Sequence, residues 1–343
     1  ASSRRRSMVD LRAGGRSDRI RGMILNAILL LAADPSPGEA VAGAERFFKR
    51  TARANGSFRP GTDPAYRGMS DSAASDLAPT AYAVVLSRTF GWKLPHEERT
   101  RKFLLSRQGK DGAFVNVGGT YDPESPDARA YNTTMGLMAL RALGAKPERD
   151  PLPVFAAVLE EDYKKLPMYM TSFFPLAYLC AGEAIPADAD RKIKALMAQD
   201  EDGYIHGHVA STFHAAHYYR LVGEKTPKAG RMVARVLRDQ RRDGSWMLNM
   251  PSRDRHATFD ACFVLRQLGK GPEVEKALAR AAGWALSCRN EDGGFGHFPG
   301  SPSDADACYF QMGTLVQAGW LAPAKTAPKD GRLLGWGHLF QKP

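Results

Sequence analysis

RQGKDGAF at 107–114, AQDEDGY at 198–204, DQRRDGSW at 239–246 and CRNEDGGF at 288–295 are versions of one signature, and RANGSF at 53–58 is a weaker copy. In three of them a glutamine precedes a glycine by four residues: Gln108/Gly112, Gln199/Gly203 and Gln240/Gly244. Asp-Gly supplies a turn after a helix, with the glycine taking a positive φ. The glutamine amide can tie down the start of a neighbouring helix, and the aromatic packs beneath. These residues read as architecture rather than chemistry.

The flanks decide the fold. A helix-period segment precedes the copies, as in RMVARVLRDQ at 231–240 and EVEKALARAAGWALS at 273–287. After each copy come a loop and a second, more apolar helix that ends in glycine, at Gly91, Gly144, Gly182, Gly223, Gly269 and Gly319. A repeat of this length is the mark of stacked helical hairpins. Six hairpins are too few for an open solenoid with good caps, and they suit closure into a ring. The expected fold is therefore all-α, an inner and an outer ring of helices around a central cavity. The apolar second helices, such as TSFFPLAYLC at 171–180 and CYFQMGTLVQAG at 308–319, would form the inner wall. The cavity end where loops enter these helices is the default place for a site.

The 343 residues are 43% hydrophobic and 25% charged, a globular composition with net charge +11. Residues 1–22 carry seven arginines against Asp10 and Asp18, so the rest of the chain is only mildly basic. That balance suits an anionic small substrate; no aromatic-plus-basic stripe argues for a nucleic-acid reader. The apolar run from Ile24 to Ala33 is too short to span a bilayer. Basic residues, a short apolar run and small residues occur in the order of a secretory signal; the alternative is a basic leader before a packed amphipathic helix. The expected organisation is a leader at 1–36, the ring at 37–325 and a C-terminal tail at 326–343. Cys180, Cys262, Cys288 and Cys308 lack CxxC spacing, which argues against a disulfide framework.

The Gln…Asp-Gly-x-aromatic repeat resembles that of squalene-type cyclases and protein prenyltransferase β subunits, over roughly residues 38–322. The resemblance implies an α/α toroid of six hairpins but no particular reaction. SDLAPTAYAVVL at 75–86 and DARAYNTTMGLMAL at 127–140 are similar to inner helices of the β subunits. In the second of these, Arg129 matches an arginine that contacts substrate. HVASTFHAAHYY at 208–219 resembles the helix whose leading histidine, here His208, contacts a diphosphate. RDRHATFDACFVL at 253–265 looks like the helix with diphosphate-binding basic residues, here Arg253 or Arg255, and an Asp-x-Cys zinc pair, here Asp260 and Cys262. Asp306 stands where the family places a histidine ligand, and Asp306 with Cys308 also forms an Asp-x-Cys pair. On the cyclase side, Asp304-Ala305-Asp306-Ala307 keeps two acidic positions of an Asp-x-Asp-Asp acid motif and lacks the third.

Three functions follow from the resemblance. The first is a prenyltransferase-like enzyme that takes an isoprenoid diphosphate into an aromatic cavity, anchored by His208, Arg253 and Arg255, with zinc at Asp260, Cys262, Asp306 and Cys308. Such a transferase implies an α-subunit partner. The second is proton-initiated terpene cyclisation with Asp306 as the acid and no metal. The third is an exported, non-catalytic interaction ring. The bland readings of the same residues are also specific. Asp260 and Asp306 would be helix caps, and the cysteines small core residues. Arg129 would pair with Asp127 or another repeat. Of the aromatics on inner helices, Tyr309 among them, three or four are expected to face the cavity and hold an isoprenoid or other hydrophobic small molecule.

Overall fold

The computed structural model describes residues 35–247, 255–328 and 335–337. The expected leader, and with it the question of export, lies outside them. Pro37–Pro343 forms one compact unit. Among the described residues there are thirteen α-helices and no strands: α1 (Pro37–Thr51), α2 (Ser70–Ala74), α3 (Ala78–Phe90), α4 (Glu97–Leu105), α5 (Pro126–Ala142), α6 (Leu152–Asp162), α7 (Phe173–Ala181), α8 (Ala187–Leu196), α9 (Val209–Val222), α10 (Ala229–Asp239), α11 (Arg255–Leu268), α12 (Pro272–Ser287) and α13 (Ala305–Gln317). No described helix is long and apolar enough to cross a membrane.

The apolar helices close a circuit. α3 packs on α5, α5 on α7, α7 on α9, α9 on α11, α11 on α13, and α13 returns to α3. Outside them, α1 packs on α3, α4 on α5, α6 on α7, α10 on α11 and α12 on α13. The difference in burial follows composition. α13 is buried along nearly its whole length, whereas α10 buries Met232 and Val236 and shows its charges to water. This is the α/α toroid that the repeat implied.

The signature turns work as expected, and more tightly. Gly112 takes φ +89°, and a Cβ there would lie 1.9 Å from the Asp150 carbonyl oxygen, so only glycine lets the two loops meet. The Gln108 amide donates to the Gly112 and Arg149 carbonyls at 3.0 and 2.8 Å, and its oxygen accepts from the Glu148 and Arg149 N–H groups. Gln199 and Gln240 repeat the tie, bonding Gly203 and Pro227, and Gly244 and Ala277. Each glutamine thus joins its own turn to the following outer segment. A second clasp runs inward. The residue after each turn donates its N–H to a side chain on the next inner helix: Phe58 to Thr80, Phe114 to Thr133, Ile205 to Thr212, Trp246 to Thr258 and Phe295 to Cys308. Cys308 therefore occupies the repeat's hydroxyl position.

Helix ends follow the expected glycines at Gly91, Gly144, Gly182, Gly223 and Gly319, all at positive φ. Gly269 also ends its helix, directly after Leu268, but without a positive φ. The four cysteines are free and buried.

Replacing Gln108 by alanine strands the buried carbonyls and N–H groups it serves. The expected cost is about 1–3 kcal/mol in denaturant unfolding. Cys308→Ser keeps an acceptor for the Phe295 N–H and should stay within about 1 kcal/mol of the parent in the same measurement.

Candidate functional site

The loop before α13 brings His297 against the helix start. His297 Nε2 lies 3.6 Å from Asp304 Oδ2 and 3.7 Å from Asp306 Oδ1, with all three side chains almost fully buried. Asp304 is the helix cap: its Oδ1 accepts from the Asp306 N–H at 3.0 Å. Its Oδ2 accepts from the Tyr66 hydroxyl at 2.9 Å and the Met69 N–H at 3.0 Å. Burial opposes charge on Asp304, but the His297 ring, with Ser72 and the Asp306 N–H, outweighs it and holds the carboxyl below its usual range.

The short helix α2 lies over this cluster. The Asp71 N–H donates to Asp306 Oδ2 at 2.9 Å, and the Asp306 N–H donates to Ser72 Oγ at 3.3 Å. The Asp71 side chain faces the other way. It lines a cavity of about 210 Å³ together with Tyr121, Tyr131, Tyr169, Phe173, Phe213, Phe310, Trp336, Ala210, His208, His214 and His256. The Tyr82 hydroxyl donates to Asp71 Oδ2, and His256 Nε2 is 4.0 Å from that oxygen. Burial first, and the Asp71 charge second, push the Tyr82 and Tyr131 phenols far above their ordinary value, so both stay protonated.

Trp336 completes the wall from the segment expected as a tail. Its indole N–H donates to the Tyr82 hydroxyl at 3.2 Å, its backbone N–H donates to the Tyr309 hydroxyl at 2.5 Å, and its ring lies 4.8 Å from Phe173. Next to Phe173, Ser172 Oγ sits between His214 Nδ1 at 2.8 Å and His217 Nδ1 at 3.2 Å.

The structure distributes the expected site residues unevenly. His208 lines the cavity and caps α9, its Nδ1 accepting from the Ser211 N–H at 3.5 Å. Of the inner-helix aromatics, Tyr131, Phe173, Phe213 and Phe310 face the cavity. Tyr309 does not line it; it is buried behind, stacked on Tyr82 at 4.5 Å. Arg129 does not line it either; it is paired with Asp111 of the 107–114 signature, because its position on α5 looks outward to that turn. Asp306 is fully buried and does not line the cavity; its Oδ2 accepts the N–H of Asp71 on α2. Arg253 and the Arg255 side chain lie outside what is described.

Among the described residues, the single group of three metal-capable side chains whose ligand atoms lie within 4.8 Å of one another is His297, Asp304 and Asp306. Asp260, Cys262 and Cys308 are not part of it. Cys308 Sγ accepts the Phe295 N–H at 3.1 Å, and burial pushes the Cys308 and Cys262 thiols far up. Within the triad, the Asp304 oxygen facing His297 already accepts two hydrogen bonds. These donors hold an imidazole between two carboxylates, and Asp306 is the one expected zinc ligand among them. Asp71, His256, His297, Tyr82 and Trp336 were not singled out from the sequence. The only local signal was for His297, in the Gly/Pro-rich loop HFPGSPSDAD at 297–306.

A family model described as the prenyltransferase alpha-alpha toroid domain matches residues 23–141, 81–170 and 191–341. Among solved structures, a variant of a type II terpene cyclase from Scytonema, in complex with its substrate geranylgeranyl dihydroxybenzoate, is 16% identical with a TM-score of 0.54. The match covers 85% of this chain and 97% of that one. Another variant of that cyclase, in complex with its product merosterolic acid A, is 16% identical over 82% and 95% of the two chains, with a TM-score of 0.51. A protein from Actinoplanes is 17% identical over 82% and 98%, with a TM-score of 0.54. At these identities the likeness is one of fold. No curated protein matches the chain in sequence.

Burial holds His217 down to about 3, and burial with neighbouring histidines holds His214 well below an ordinary imidazole. Unfolding lets both bind protons that the folded state refuses. Stability should therefore fall as pH drops from about 6.5 toward 3, by about 1.4 kcal/mol per pH unit for each histidine. Urea unfolding from pH 6.5 to 4.5 should show a slope shallower by that amount in His217→Gln.

Proposed function

The chain belongs to the prenyltransferase alpha-alpha toroid family, and from that premise we propose that it cyclises an isoprenoid chain by proton addition. One observation carries the reading: an aromatic cavity whose wall includes a carboxylate, backed by the buried Asp304, Asp306 and His297. Aromatic faces stabilise a passing carbocation through their quadrupoles, and more strongly in a desolvated cavity. The Scytonema cyclase, whose toroid this chain matches over nearly its full length, carries a geranylgeranyl substrate; that supports a prenyl chain as the ligand class.

The chemistry balances without a cofactor. A carboxylic acid gives its proton to a terminal alkene carbon, and the π pair forms the new C–H bond. The next alkene's π pair closes a ring on the resulting tertiary cation. The last cation loses a proton to a base, and solvent reprotonates the acid, so substrate and product are isomers. General acid catalysis of this kind contributes roughly 10²–10⁴-fold. His208 in the cavity wall would meet a diphosphate if the substrate carries one, together with Arg253 and Arg255.

The test is incubation of the purified chain with geranylgeraniol, geranylgeranyl diphosphate and squalene, followed by mass spectrometry of extracted products. A cyclic isomer of at least one probe is expected, with turnover reduced in Asp306→Asn, which disturbs the carboxylate cluster behind the cavity wall. No cyclic product from any of the three sinks the reading. Elemental analysis separates the transferase. One zinc per chain, lost in Asp260→Ala/Cys262→Ala, would favour prenyl transfer to a thiol; the cyclase needs none.

A further inference from the structure

Resting on the cyclase reading, we propose that Asp71 is the group that hands the proton to the substrate, and that Asp304 and Asp306 are positioning residues that hold it there. An acid must touch the carbon it protonates. Asp306 does not meet that condition. It is fully buried, its Oδ2 accepts the Asp71 N–H, and its Oδ1 faces His297. The Asp71 carboxylate stands in the cavity wall with its side chain 16% exposed.

The backbone around Asp71 is fixed from below by the acidic pair. Met69 donates its N–H to Asp304, Asp71 donates its N–H to Asp306, and Ser72 accepts from the Asp306 N–H. Two hydrogen bonds to the acidic side chains, and one from the Asp306 backbone N–H to the Ser72 hydroxyl, thus fix the four-residue stretch 69–72. A single turn of helix would not hold such a position unaided. The two carboxylates at the start of α13 form a platform, and the acid stands on the segment that they carry.

The environment of Asp71 suits both halves of the transfer. The Asp71 proton passes to the alkene carbon, and the O–H electron pair stays on the carboxylate. The Tyr82 hydroxyl already donates to Asp71 Oδ2 and stabilises that carboxylate once the proton has left. Tyr82 is held in turn by the Trp336 indole N–H and by stacking on Tyr309. The cation left on the substrate meets the rings of Tyr131, Phe310 and Trp336 in the same cavity.

The test uses the full chain and whichever of the three polyprene probes the parent cyclises. Asp71→Asn should lose turnover by about 100-fold or more with KM little changed; a smaller loss overturns the assignment. Asp71→Gly leaves a carboxylate-sized gap, and added formate should restore its turnover at least tenfold while leaving Asp306→Asn unimproved. A platform role for Asp71 cannot produce that rescue. A folded Asp71→Gly that formate does not rescue overturns the proposal, as does rescue of Asp306→Asn. Should Asp71→Gly fail to fold, the kcat-against-KM split of Asp71→Asn decides alone. A parent protein that cyclises none of the probes takes down the cyclase reading and this assignment with it, whereas an active parent with an active Asp71→Asn takes down this assignment only.

Discussion

The hydrogen bond from the residue after each signature turn to the next inner helix is the contact on which the remaining structure depends. It recurs five times, with Thr80, Thr133, Thr212, Thr258 and Cys308 as acceptors. Each one sets the height at which a turn meets an inner helix, and the glutamine tie then sets where the next outer segment begins. A buried N–H needs a partner, so a turn that slipped along its helix would forfeit one at every repeat. Repetition converts a short-range preference into a closed circuit in which α13 meets α3.

That circuit produces the cavity as a by-product. Inner helices must be apolar on the side facing one another, and aromatic side chains are the largest units available for the purpose. Where the rings do not fill the centre, they become its wall, as Phe173, Phe213 and Phe310 do. The same packing strips water from the polar groups that remain. The Tyr131 phenol stays protonated, the His214 and His217 imidazoles stay neutral, and Asp304 keeps its charge beside the His297 ring.

Two segments outside the repeat give the cavity its chemistry. α2, inserted between the first signature turn and α3, carries Asp71 over the start of α13. Residues 335–337 return from beyond the last inner helix and place Trp336 against Tyr82, Tyr309 and Phe173. The regular toroid is the frame that the repeats build. The insertion and the return decide which groups meet in its centre.

The signature turns, their glycines and the apolar second helices determined the α/α toroid, because every one of those features acts between residues close in sequence. The Asp304-x-Asp306 pair was legible for the same reason, being a helix cap and its neighbour. The tertiary structure alone decided what the pair does. Asp71 and Asp306 are 235 residues apart and Trp336 and Tyr82 are 254 apart, and no periodicity links them. They meet only because the ring closes. Closure also turned Arg129 outward to Asp111 and Tyr309 behind the wall, and it gave Cys308 the hydroxyl's place in the repeat. A local pattern specifies which helices form and which face they bury. Which carboxylate reaches a shared cavity depends on the angle at which distant segments cross, and that is set by packing.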